Sequence, residues 1–144
     1  SGSCPNKKDM TIDEFLKGDK FALFAGVELL EVGNGFARAR MEIKEMHHNG
    51  GGVCQCGAIF TLADLAFAAA TNSHARLTLS IQSNIQFFKS EASGFLYAEA
   101  TEVYNHKRIS SCEVRVTNEG GELIATFSGT GYRKDKPLPF EPIL

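Results

Sequence analysis

The sequence predicts an α+β fold: a curved antiparallel sheet of five or six strands wrapped around one long buried helix. Two observations carry that expectation. Between Gly57 and Asn72, the residues Ile59, Phe60, Leu62, Leu65 and Phe67, with several alanines, leave almost no polar face. A helix that is apolar all round is buried all round, and this one is too short to span a bilayer, so protein must cover it. After it, Leu77, Leu79, Ile81, Ser83, Ile85 and Phe87 alternate with Thr78, Ser80, Gln82, Asn84 and Gln86, the period of two that marks a strand.

The other elements follow in chain order. Thr11 and Glu14 form a T-x-x-E capping pattern that opens a short helix through Phe15 and Leu16. A second short apolar stretch covers Phe21 to Phe24. Val27 to Val32 and Phe36 to Ile43 read as strands, and Gly33-Asn34-Gly35 between them is a turn signal, so the pair forms a hairpin. Phe95 to Tyr104, Arg108 to Thr117 and Leu123 to Arg133 read as three more strands. Ser93-Gly94, Asn105-His106 and Asn118 to Gly121 separate them. Short turns between successive strands favour an antiparallel meander.

The chain of 144 residues is one domain with room for a real core. Residues 1–26 are its N-terminal helical segment and residues 135–144 its irregular tail. A net charge of −2 gives no global electrostatic case for nucleic acid or for an anionic membrane. No apolar run reaches membrane-spanning length, and no signal-peptide pattern is present. Cys4, Cys54, Cys56 and Cys112 are not spaced as a disulfide framework; a reducing cytoplasm is the expected setting. One sheet around one helix leaves open edges, and pairing edges between copies is the economical remedy. A homodimer or a dimer of dimers is therefore expected.

The chemistry concentrates in the run from His48 to Asp64, where a glycine-rich loop enters the apolar helix. The amides of Cys56, Gly57 and Ala58 have no partner four residues earlier within the helix and are placed to stabilise an oxyanion; water or Asn49 would satisfy them otherwise. Asp64 is the helix's one ionisable side chain. A carboxylate there costs several kcal/mol if it is fully buried without a partner, on the order given for buried ions. It is either a general base or nucleophile or a structural aspartate bonded to a loop, with Thr61 three residues earlier on the same face. Cys56 and Asp64 stand about 12 Å apart along an ideal helix at 1.5 Å per residue. A reacting carbonyl needs both groups within about 3 Å. One chain does not supply both, so a shared site takes them from two subunits.

These residues resemble the phenylacetate-type acyl-CoA thioesterases of the hotdog-fold superfamily. That family's pattern is roughly His-x-Asn, a short glycine loop, His-Gly-Gly, and a helix with Leu-Ala-Asp in its second turn. His48-Asn49, Gly57, Phe60, Leu62-Ala63-Asp64 and Ala66-Phe67-Ala68 fit it without gaps, the strand from Ser80 to Phe87 lies at the family's distance, and the resemblance runs from Val27 to Arg133. It implies a hotdog fold and hydrolysis of an acyl-CoA thioester, with a small aryl or medium-chain acyl group, to a carboxylic acid and coenzyme A. No cofactor is implied beyond the coenzyme A of the substrate, and no metal.

The resemblance also implies site roles. Asp64 matches the catalytic carboxylate. Cys56 falls on the first glycine of His-Gly-Gly, whose amide polarises the carbonyl, with Gly57 beside it. Asn49 matches the asparagine that positions substrate or water, and Ser80 falls where some members orient the water. Gln55, His48 and Thr61 belong to the substrate-binding surroundings. The basic residues Lys107, Arg108 and Arg133 are candidates for the coenzyme A phosphates; solvated charge is the plainer reading of them. The family's His-Gly reads Gln55-Cys56 here. Gln55 hydrogen-bonds but cannot act as an imidazole base, and Cys56 at a helix start is itself a possible nucleophile. Cys54-x-Cys56 with His47 and His48 lacks the usual zinc spacing. A non-catalytic acyl-CoA or metabolite binder, or a hotdog dehydratase or hydratase with His48 as base, are the alternatives.

Overall fold

The structure, a computed structural model, describes residues 10–144, so the first nine residues of the N-terminal segment lie outside it. The Thr11 side chain accepts a hydrogen bond from the Glu14 amide at 3.1 Å and caps α1 (Ile12–Leu16). Asp19 caps α2 (Lys20–Phe24) through the Ala22 amide at 3.0 Å. Helices this short do not hold on propensity alone. Burial of Ile12, Leu16 and Ala22 in the common core anchors them.

β1 (Glu28–Gly33) and β2 (Phe36–Ile43) form the expected hairpin. Its two-residue turn has Gly35 at φ +66°, the left-handed backbone such turns require. The central helix is α3 (Cys56–Thr71), and β3 (Arg76–Phe87), β4 (Gly94–Asn105), β5 (Ile109–Asn118) and β6 (Leu123–Pro137) complete one six-stranded antiparallel sheet in the order β1-β2-β4-β5-β6-β3. The meander holds for β4-β5-β6 only. β3 lies at the far edge against β6 rather than beside β4. After α3 the chain passes the β1–β2 turn, where the Gly35 amide donates to the Ser73 hydroxyl at 2.9 Å, and then enters the sheet at its far edge as β3.

Helix and sheet meet through small residues. Ala37 and Ala39 on β2, Ala98 and Ala100 on β4, and Ala63, Ala66, Ala69 and Ala70 on α3 are fully buried. They bring the helix backbone close to the strands, and Met41, Leu62, Leu96, Val114, Val116 and Phe127 fill the rest. On β6, a Cβ at Gly129 would come within 3.0 Å of Phe67 and 2.9 Å of Phe127, so glycine there makes room for the two rings. Asn72 ends α3 by donating to the Ala68 and Thr78 carbonyls and accepting from the Thr78 amide at 2.9 Å.

β3 breaks its own alternation. Its register shifts between Ser80 and Gln82. Thr78 is buried, whereas Leu79 and Ile81 are 47% and 62% exposed. Leu79 and Ile81 in the middle of this edge strand therefore stand outward, whereas Leu77 and Ile85 pack against the core. β6 runs to Pro137, a little past the predicted boundary. The irregular tail beyond it is tied down by Leu138 to the Ala75 carbonyl and Ile143 to the Ser73 carbonyl.

At the C-terminal end of α3 the fold buries charge. Glu102 on β4, with its side chain 8% exposed, accepts from Ser110, meets His74 at 2.9 Å and faces Arg133 at 3.7 Å. Arg133 also donates to Asn105 and to the His106 carbonyl. Burial, and secondarily Glu102, pushes the Cys112 thiol up to about 12. Removing one member of such a cluster leaves the other buried and uncompensated. Arg133→Met should therefore destabilise the protein by about 3–5 kcal/mol in chemical denaturation, and adding Glu102→Gln should recover part of the loss.

Candidate active site

The site begins in the loop before α3. The Asn49 side-chain oxygen accepts from the amides of Gly51 (2.9 Å) and Val53 (3.2 Å). Its backbone carbonyl accepts from Gly52, which sits at φ +79°. Asn49 is thus the organiser of the glycine loop. Its oxygen is spent on the loop and not on the helix amides, which Asn49 was the alternative to satisfy. His48 donates from Nε2 to the Ala92 carbonyl at 2.7 Å, which ties the loop to the β3–β4 connection and engages the nitrogen a single-histidine base would use. His47 is buried, with Nδ1 accepting from the Lys44 amide and Nε2 donating to the Ala25 carbonyl. Both ring nitrogens are committed to backbone, and so neither reaches for a metal. Burial pushes the Cys54 thiol up to about 11, an inert state.

The helix start is capped from its own backbone. Gln55, in an extended conformation, supplies no side-chain cap. Its carbonyl accepts from Ala58 at 3.0 Å and Ile59 at 3.3 Å. The Ala58 amide is therefore spent, contrary to expectation, because the first turn tightens onto Gln55. Among the described residues, none accepts from the amides of Cys56 and Gly57, and both residues are exposed. These two remain to meet an incoming oxygen. Among the described residues none hydrogen-bonds to the Cys56 thiol, which is exposed.

One stripe of α3 is left uncovered by the sheet: Gly57, Thr61, Asp64 and Ala68 are exposed or half-buried, while the rest of the helix beyond its first turn is mostly buried. Thr61 donates to the Gly57 carbonyl at 2.8 Å and so does not hold Asp64, as its position three residues earlier allowed. Among the described residues none hydrogen-bonds to the Asp64 carboxylate. Burial first, and then the charge of Asp19 at the start of α2, hold its carboxyl above the ordinary aspartate range. A carboxylate whose proton affinity is raised toward neutrality is a better base.

Other expected residues are placed elsewhere. Ser80, exposed on β3, pairs with Ser83 at 3.1 Å between hydroxyls. Arg133 is buried in the Glu102 cluster, where its Nη1 donates to Asn105 and to the His106 carbonyl and its Nε and Nη2 have no hydrogen-bond partner among the described residues. Arg108 is engaged by both oxygens of Asp135, at 2.7 and 2.9 Å. Lys107, exposed at the tip of the β4–β5 turn, is the basic residue of the three that remains open to solvent. These residues sit at the C-terminal end of α3, about 24 Å from its start at 1.5 Å per residue. Sequence reasoning missed a cleft of about 430 Å³ beside the helix start, where Phe21, Phe24 and Met46 face Gly57, Ala58 and Thr61. The paired aromatics of the capped run Asp19-Lys-Phe-Ala-Leu-Phe24 were its sequence signal.

Residues 51–125 match the family model of the thioesterase superfamily. The chain belongs to the thioesterase superfamily. A protein of Archaeoglobus fulgidus, provisionally named an esterase, is 39% identical over 128 residues, covering 88% of this chain and 83% of that one. The Escherichia coli acyl-coenzyme A thioesterase PaaI is 28% identical over 118 residues, 81% of this chain and 84% of its own. The solved structure of that protein, from the phenylacetic acid degradation operon, superposes with a TM-score of 0.82 over 85% of this chain and 90% of its own, at 27% identity. The architecture is the hotdog fold, and the enzyme class is thioester hydrolase. No helix among the described residues is long and apolar enough to cross a membrane.

The folded protein holds the Asp64 proton more tightly than the unfolded chain does. Its stability penalty is therefore absent below the ordinary aspartate range and grows as pH rises through that range toward the raised native value. Asp64→Asn should melt at a higher temperature than the wild type near neutral pH. The difference should fade as the pH falls below the ordinary aspartate range, which thermal melts across pH would check.

Proposed function

We propose that the protein hydrolyses acyl-CoA thioesters with a small aryl or medium-chain acyl group, with Asp64 as the base. One observation carries this reading: the helix whose Cys56 and Gly57 amides are unspent also presents, on its one uncovered stripe, a carboxylate that no other described residue satisfies. The thioester carbonyl accepts from the two amides. Asp64 takes a proton from water, and the water oxygen attacks the carbonyl carbon. The oxyanion forms against the N–H groups and then collapses. The carbon–sulfur bond breaks, the proton held by Asp64 passes to the departing sulfur, and coenzyme A and the carboxylic acid are released with Asp64 ionised again. Preorganised donors of this kind are worth about 10²–10³ in rate each. The side-chain amide nitrogen of Asn49 borders the same helix start and supports substrate or water. Gln55 and His48 line the approach.

Asp64 lies too far along α3 to serve the amides of its own chain, so the site is shared by two copies. The exposed apolar edge of β3, with Leu79 and Ile81, supports pairing of two sheets there, as a dimer or a dimer of dimers. In such a pair the stripe of one helix meets the start of the other. Ser80, on the same edge, would then stand at the seam. Lys107 of a partner would lie toward the coenzyme A phosphates. The free thiols of Cys54, Cys56 and Cys112 suit a reducing, cytoplasmic setting.

Assays against a panel of acyl-CoA thioesters test this. Asp64→Asn should lower kcat by about 10²-fold or more while binding is retained. Binding without turnover in either protein would mean a non-catalytic binder. Cys56→Gly should keep or raise activity, since the reaction uses the residue's amide and not its thiol. Ile81→Lys should sediment as a folded monomer with little activity; an active monomer contradicts the shared site.

A further inference from the structure

The short helix α2 is built the wrong way round for a core element. Of Lys20–Phe24 only Ala22 is buried, while Phe21 and Phe24 are 69% and 78% exposed. Three residues apart, they stand on one face of the helix. That face looks across the cleft of about 430 Å³ toward Met46, which is 56% exposed, and toward Gly57, Ala58 and Thr61 at the start of α3. Exposed aromatics gathered on one concavity mark a binding surface more than scattered ones do.

The walls of this cleft are fixed relative to one another. His47 forms part of the floor. Its Nε2 donates at 2.7 Å to the carbonyl of Ala25, the residue that ends α2, and its Nδ1 accepts at 2.8 Å from the Lys44 amide, before the turn that carries Met46. The Gln55 amide donates to the His47 carbonyl at 2.7 Å, which ties the same floor to the start of α3. One imidazole thus sets the distance from the phenylalanine wall to the methionine wall and to the helix start.

We infer that this cleft is the acyl pocket and that Phe21 and Phe24 on α2 determine which acyl groups the enzyme accepts. The inference rests on the acyl-CoA reading above. A carbonyl held at the Cys56 and Gly57 amides lies at the mouth of the cleft, since Gly57 belongs to both. The apolar acyl tail then runs between the aromatic pair and Met46, whose flexible thioether adapts to different shapes. An acetyl group is too short to reach the phenylalanines, whereas a hexanoyl or phenylacetyl group reaches both.

The test separates this inference from the chemistry by reading binding in an Asp64→Asn background, with turnover of the parent enzyme measured independently. Titration calorimetry with acetyl-, hexanoyl- and phenylacetyl-CoA is compared for Phe21→Ala, Phe24→Ala and the unsubstituted background. Each truncation should weaken the two longer ligands by about tenfold or more relative to acetyl-CoA. Phe24→Trp, which narrows the cleft, should discriminate against phenylacetyl-CoA. Equal weakening of all three ligands would put the pantetheine arm there and overturn the assignment, as would no weakening of any. Conversion of the Phe variants to monomers in sedimentation would make the cleft a subunit contact and overturn it too. Both phenylalanines are mostly exposed, so the truncations leave the core intact, and circular dichroism verifies this.

Discussion

Everything in this molecule depends on covering one apolar helix with one sheet. A 16-residue helix of the composition of α3 cannot face water, and the sheet supplies its cover by curling around it. Alanines on β2, β4 and α3 set the separation, and Gly129 yields the space that Phe67 and Phe127 occupy. A single sheet does not close around a helix, however. Three surfaces are left over: a stripe of α3 from Gly57 to Ala68, the outward apolar face of β3, and the side of the helix start that α2 walls off. The first carries Asp64, the second exposes Leu79 and Ile81, and the third forms a cleft.

The same helix sets the electrostatics. Its first turn folds back on Gln55 and uses the Ala58 amide, which leaves the Cys56 and Gly57 amides to a ligand. Asp64, eight residues on, has burial and the neighbouring Asp19 against its ionisation and no hydrogen bond in its favour. Folding alone does not reward this arrangement. A stability-driven sequence would place a neutral residue there or a partner beside it, and the tension at Asp64 is consistent with the base proposed above. The charges at the other end of α3 are arranged differently: Glu102 meets His74 and Ser110 directly and has Arg133 at 3.7 Å as an opposite charge.

Much of the fold could be read from the chain, because its signals are local. The T-x-x-E cap, the Asn34-Gly35 turn, the period of two in the strands and the unbroken apolar run of α3 each act over a few residues. The place of β3 was not legible. Alternation identifies a strand but not its neighbour, and no local pattern encodes the register shift at Ser80 to Gln82 or the exposure of Leu79 and Ile81 beside it. The site was legible in part. Asp64 and the helix start stood out as polar features in an apolar run, but the employment of the Asn49 oxygen in its own loop depends on the loop's closed shape. Arg133 looked like an open cation near the chain's end. Only the pairing of β6 with β5 reveals that it lies beside Ser110, which bonds the same Glu102 carboxylate. The acyl cleft was hidden because its walls, Phe21, Met46 and Gly57, lie far apart in sequence and are joined through a buried histidine.

The central claim is that one copy's Asp64 works with another copy's helix start, and subunit complementation tests it most directly. Cys56→Pro removes one oxyanion N–H at the first helical position, where proline is well tolerated. The preceding Gln55, at φ −65° and ψ 142°, already has the backbone that a following proline demands. Asp64→Asn removes the base. Each variant alone should be nearly inactive. If the two are unfolded and refolded together, half of the dimers are mixed and each mixed dimer has one intact shared site, so about a quarter of wild-type activity should return. No recovery, with mixed dimers demonstrably formed, would contradict the shared site and return both groups to a single chain.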